Sequence, residues 1–223
     1  MKKELIIWDF DGVIADTESL WLYNRMTTIN ETFHLNWTFE KTVNTLLGMS
    51  DKTKREVLDN LGIRTDDEFW LKNKKLDYDM MFQKGFELTQ GVEDILKLNI
   101  KQCIATGGLK EKTAIKIKTV GLENYFTEDK VFTADMVEKG KPEPDLFLLA
   151  CQKMDTDPQN AIVIEDSIAG LKAAIKANIT PICFTKYIKP SNQQYFKELK
   201  NLGIENIFND MKDIKNFIKK NMN

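Results

Sequence analysis

The chain has 223 residues, with 32 Lys and Arg against 34 Asp and Glu for a formal net charge of -2, and 42% of its residues are hydrophobic and 30% charged. That length accommodates one full α/β domain and a smaller accessory one, and the composition supports a packed core rather than a disordered chain. Without a basic excess, nucleic acid is not an expected partner, and with no apolar run near the roughly 20 residues of a bilayer span, neither is a membrane.

Leu5-Ile6-Ile7-Trp8 is a short apolar run that stops at Asp9-Phe10-Asp11-Gly12, the pattern of a buried parallel strand entering a polar loop. The two aspartates interrupt this segment before the apolar core of a secretion signal could form, so a cytoplasmic location is expected. From about Thr17 to Gln90 the pattern is helical throughout, with helices predicted over Leu20 to Phe33, Phe39 to Leu47, Asp51 to Leu61 and Asp66 to Phe86. His34, the single histidine, falls near the end of the first of these, and Trp21, Trp37 and Trp70 read as helix-core residues.

After residue 90, strands and helices alternate. Gln102-Cys103-Ile104-Ala105 runs into Thr106-Gly107-Gly108, and Ala161-Ile162-Val163-Ile164 runs into Glu165-Asp166-Ser167. Helices are predicted from Lys110 to Val120 and from Ser167 to Ala177, the second with Ser167 as N-cap and Asn178 just past its end. Weaker strand patterns cover Lys130 to Thr133 and Pro181 to Phe184, and Met211, Ile214, Phe217 and Ile218 recur at helical spacing among the lysines of the last segment. Cys103, Cys151 and Cys183 are too widely spaced for a disulfide framework or a zinc site and read as core. The expectation is a doubly wound, parallel, Rossmann-like α/β sheet formed by residues 1–16 and 87–223, with an all-helical cap inserted at 17–86.

In open α/β sheets ligands bind beyond the carboxyl ends of the strands, where this chain places Asp9 and Asp11, then Thr106 with Gly107 and Gly108, and finally Glu165 and Asp166. Asp9 and Asp11 alone fit a helix cap, a turn or a calcium loop. Thr-Gly-Gly alone fits a plain turn, Lys141 a surface residue in a proline-stiffened loop, and Glu165-Asp166 a helix start. Together they supply what phosphoryl transfer needs: a carboxylate nucleophile, an all-oxygen ligand set that suits magnesium, a hydroxyl and backbone cradle for phosphate, and a point positive charge.

These segments also carry a resemblance. Trp8 to Glu18 resembles the first motif of the haloacid dehalogenase-like superfamily, DxDGxxxDTE, and Ile104-Ala105-Thr106-Gly107 resembles the second. Gly140-Lys141-Pro142-Glu143-Pro144-Asp145 is similar to the third, and Val163 to Gly170 to the fourth. The order is that of the subgroup with a helical cap after motif one, which includes β-phosphoglucomutase and phosphoglycolate phosphatase. The resemblance implies Asp9 as nucleophile and metal ligand, Asp11 as acid/base with its backbone carbonyl on the metal, and Asp166 as a further ligand with Glu165 beside it. It also implies Thr106 and Gly107 on the phosphate and Lys141 bridging nucleophile and phosphate, with Gly108, Thr17, Glu18, Gly48 and Ser50 as further candidates for binding substrate. Where β-phosphoglucomutases place a histidine this chain has Trp21, and the arginine after Gly-x-Ser is replaced by Asp51. The expected activity is therefore a magnesium-dependent phosphatase acting on a small phosphorylated metabolite through an aspartyl-phosphate, as a monomer or small homo-oligomer. A phosphohexose mutase is the first alternative. A phospho-receiver domain is the second, disfavoured because it would place its acceptor after a middle strand.

Overall fold

Four fully buried residues, Leu5–Trp8, form strand β1 at the centre of a six-stranded parallel sheet in the computed structural model, which describes residues 2–47, 49, 51–83 and 85–221. The other strands are β2 (Lys101–Thr106), β3 (Val131–Thr133), β4 (Ala161–Glu165), β5 (Thr180–Phe184) and β6 (Ile207–Phe208), in the order β3-β2-β1-β4-β5-β6. A strand of four apolar residues in a row has no solvent face, and flanking β2 and β4 with helices on the sheet satisfies that demand. Leu5 and Ile7 pack with Cys103, Ala105, Ala161 and Val163 into one core layer that also takes in Phe147 and Ala173.

The helices in chain order are α1 (Glu18–Phe33), α2 (Phe39–Leu46), α3 (Asp51–Asn60), α4 (Asp67–Gln83), α5 (Val92–Leu96), α6 (Lys110–Thr119), α7 (Asp145–Lys153), α8 (Ile168–Lys176), α9 (Gln193–Asn201) and α10 (Met211–Asn221). The chain divides into two compact units, Met1–Ala15 with Glu87–Asn223, and Asp16–Phe86.

In the helical unit, α1 starts with the Ser19 N–H donating to Asp16 Oδ1 at 3.1 Å and ends at His34, an exposed residue with φ 53°. Leu22, Ile29, Trp37, Val43, Leu46, Leu58 and Phe69 form its core. Trp37 is thus a core residue, whereas Trp70 is half-buried with the Arg25 guanidinium 4.6 Å from its ring centroid.

In the sheet unit, Ser167 caps α8 by accepting from the Gly170 N–H at 3.0 Å, and Asn178 past its end has φ 60°. Met211, Ile214 and Ile218 bury one face of α10, with Lys212, Lys219 and Lys220 exposed and Lys215 half-buried. Cys103, Cys151 and Cys183 are buried and unpaired by disulfides. Four elements have no counterpart in the sequence expectation: α5, α7, α9 and β6. Among the described residues, no helix is long and apolar enough to cross a membrane.

Candidate active site

Register decides which side chains meet. Trp8 pairs with Ile104 of β2 and Ile164 of β4, so Asp9 and Glu165, each one residue further on, leave the sheet side by side, while Thr106 ends β2 two residues beyond Ile104. The Asp9 N–H continues the ladder by donating to Ile164 O at 3.0 Å, so backbone hydrogen bonding rather than a flexible loop places its carboxylate.

On the β4 side, Lys141 Nζ lies 2.5 Å from Asp9 Oδ1 and 2.7 Å from Glu165 Oε2. Carboxylate oxygens of Asp9, Glu165 and Asp166 all fall within 4.8 Å of one another. Glu165 Oε1 accepts the backbone N–H groups of Asp166 and Ser167 at 3.1 and 2.9 Å, so both of its oxygens already carry donors. Burial first, and then the charge of Glu165, push the Asp9 carboxyl up to about 7 despite Lys141. Burial, followed by Glu165 and Asp9, likewise raises Asp166. Burial pulls Lys141 down, but the two carboxylates it bridges outweigh that and hold it above its ordinary value. Three acids against one ammonium in a dry site leave an excess of negative charge, and an all-oxygen set of this kind fits a hard divalent cation such as magnesium.

Two glycines make this packing possible. Gly12 has φ +77°, and a Cβ there would lie 2.0 Å from Asp166 Oδ2; a Cβ on Gly170 would lie 1.9 Å from Glu165 Oε2. Neither position admits a side chain while the carboxylates stay where they are. Tyr195 on α9 adds a brace, its hydroxyl donating to the Asp166 carbonyl at 2.5 Å.

On the β2 side, Thr106 is buried at the strand end and its Oγ1 accepts the Gly108 N–H at 3.3 Å. That bond shapes the turn into α6, and a Cβ added at Gly107 would meet nothing within 4 Å. Asp11 does not join the three-carboxylate group. Its Oδ2 lies 2.5 Å from Nζ of Lys116, a residue of α6 that is 2% exposed and that no sequence motif marks. The Asp11 side chain thus lies outside the group of three carboxylates and is paired with its own lysine.

Of the remaining candidates, Thr17 is buried at the start of α1, and Glu18 faces Lys54 at 3.6 Å within the helical unit. Gly48 and Ser50 lie outside the described residues. Gly12, Gly170, Tyr195 and Lys116 were not identified as site residues from sequence. The two glycines sit inside quoted motifs, but Lys116 and Tyr195 carry no sequence signal beyond helical position.

Residues 6–184 match the family model described as haloacid dehalogenase-like hydrolase. A phosphorylated carbohydrates phosphatase from Thermotoga maritima is 28% identical over 184 residues, covering 80% of this chain and 83% of the relative. Among solved structures, a conserved haloacid dehalogenase-like protein of unknown function from Agrobacterium tumefaciens superposes with a TM-score of 0.84 at 25% identity, covering 98% of each chain. A putative β-phosphoglucomutase from Thermotoga maritima superposes with a TM-score of 0.79 at 23% identity, covering 97% of this chain and 99% of that one.

Proposed function

The chain belongs to the haloacid dehalogenase-like hydrolases, and from that premise we propose that it is a magnesium-dependent phosphatase of small phosphorylated metabolites, working through an aspartyl-phosphate on Asp9. The observation that carries this reading is Lys141 held between Asp9 and Glu165, with Asp166 completing a three-carboxylate group. The similarity to a phosphorylated carbohydrates phosphatase supports the substrate class.

Asp9 and Asp166 would hold the ion. Glu165, with both oxygens already accepting hydrogen bonds, would orient Lys141 and the following turn. The ion supplies charge neutralisation on the phosphoryl group when bound. In the first step an Asp9 oxygen attacks phosphorus in line, the bond to the leaving oxygen breaks, and Asp11 gives that oxygen its proton. In the second step Asp11, now a carboxylate, takes a proton from water. That water attacks the phosphorus, free phosphate leaves and Asp9 is regenerated. Thr106, Gly107 and Lys141 donate to the phosphoryl oxygens, where fixed donors lower the barrier most. Substrate choice is assigned to the helical unit.

Hydrolysis is preferred to mutase transfer because Trp21 stands where the resembling mutases have a histidine. An indole N–H donates but does not titrate near neutral pH, so proton transfer at Asp11 would not be coupled to a bound sugar. A phosphate-release screen over phosphorylated metabolites with magnesium, including β-glucose 1-phosphate with a trace of the bisphosphate, tests both statements. Free phosphate is expected from several small esters. Glucose 6-phosphate appearing faster than free phosphate would overturn the hydrolytic reading, and no turnover of any ester would overturn the phosphatase.

A further inference from the structure

Helix α6 presents Thr113, Lys116 and Ile117 inward. An apolar residue at position 116 would avoid the cost of burying an ammonium, which is large unless a partner compensates it. Lys116 has that partner in Asp11, with Nζ 2.5 Å from Oδ2, and the same nitrogen lies 4.8 Å from the centroid of the Phe10 ring. It also lies against the phosphate cradle: a Cβ built on Gly108 would stand 3.5 Å from Lys116 Nζ, 3.0 Å from Thr113 Oγ1 and 3.7 Å from Thr106 Oγ1. The lysine thus reaches from α6 to the loop after β1 while packing beneath the turn after β2. Asp11 itself sits on a short loop, its side chain 34% exposed.

We propose that Lys116 is a positioning residue that holds the carboxyl group of Asp11 beside the phosphate cradle, so that its proton is delivered to the leaving oxygen. The inference rests on the reading of Asp11 as the proton donor. Lys116 takes no part in the transfer itself: the proton moves from Asp11 to the leaving oxygen and is later regained from water. Charge-assisted hydrogen bonds are short and directional, and misplacing a catalytic group by about 1 Å costs on the order of a hundredfold.

The test uses kcat/KM, which reports the first chemical step, for two esters of similar shape and different leaving groups. Phenyl phosphate needs its leaving oxygen protonated, whereas p-nitrophenyl phosphate needs little help. Lys116→Met should lower kcat/KM for phenyl phosphate by about 10- to 100-fold and for p-nitrophenyl phosphate far less, and Lys116→Arg should recover part of the loss. On an Asp11→Asn background, Lys116→Met should cost almost nothing further, since residues acting through one another are not additive. Thermal melts should show the Met variant folded at assay temperature, since the Asp11 carboxyl it leaves without an ammonium is 34% exposed and can stay hydrated; if it melts below assay temperature, Lys116→Gln takes its place in the cycle. Losses that add in the double variant, equal losses on both esters, or no loss at all would overturn the role of Lys116. Failure of the underlying reading is separately visible: Asp11→Asn alone would then hydrolyse phenyl phosphate at the parental rate.

Discussion

The two sides of the carboxyl end of β1 are electrically unlike. Toward β4, Asp9, Glu165 and Asp166 crowd around Lys141 in a dry site with more negative than positive charge. Toward β2, Asp11 faces Lys116, and the surroundings are a hydroxyl and a glycine turn. The difference assigns labour on the proposed reading. The β4 side calls for a cation from outside, while the β2 side is already balanced and offers donors, which suits it to an incoming phosphate.

The broadest way to break that contrast is to withhold the cation. Chelation is expected to abolish phosphate release, with recovery on adding magnesium, as a steady-state assay would record; full activity in excess chelator would contradict the need of the β4 side for an ion. A smaller effect is expected from Gly170→Ala, whose new methyl would meet Glu165 Oε2. Such overpacking typically costs about 1–3 kcal/mol, so the melting temperature should fall by several degrees and turnover with it, as Glu165 is pushed from Lys141.

The contrast also has a pH signature. In metal-free protein the Asp9 carboxyl is raised from 3.8 to about 7. A carboxyl raised on folding contributes stability that is fully present below its unfolded value and is lost as pH rises through its folded one. The melting temperature of the metal-free protein should therefore decline from about pH 4 to about pH 7 through this group, and magnesium should stabilise more at the upper end of that range than at the lower. A magnesium-induced shift that stays constant across those pH values would contradict the charge excess. The smallest effect is expected from Tyr195→Phe, which removes the hydroxyl donated to the Asp166 carbonyl. A loss of about 1 kcal/mol and a modest rise in the magnesium concentration for half-activation are expected, and an unchanged magnesium titration would show that the brace does not steady Asp166.

What could be read from sequence follows where local pattern and tertiary role coincide. β1, β2 and β4 are apolar runs cut off by polar residues, so both the strands and their terminal chemistry are visible in one segment. Ser167 and Asn178 mark the ends of α8 because capping depends on local backbone geometry. By contrast, α5 has five residues and β6 two, too short for a period to register. Lys116 lies in Lys110-Glu111-Lys112-Thr113-Ala114-Ile115-Lys116-Ile117-Lys118, where its neighbours make it look like one more solvated lysine; only the packing of α6 turns it inward. Tyr195 is hidden for the same reason, since the loop it braces lies 29 residues earlier. The aspartate after strand 1 was legible, but that Asp11 would turn from its neighbour to a lysine of α6 was not, because the pair spans 105 residues.

The central claim is that Asp9 carries the phosphoryl group. Acid-quenching the enzyme during turnover of p-nitrophenyl phosphate with magnesium, then mapping peptides by mass spectrometry, tests it directly. The account predicts one phosphoryl group on Asp9, labile to hydroxylamine and absent from an Asp9→Asn variant that melts like the parent. A phosphoryl group on any other residue, or sustained turnover by the Asp9→Asn variant without deamidation, would contradict it.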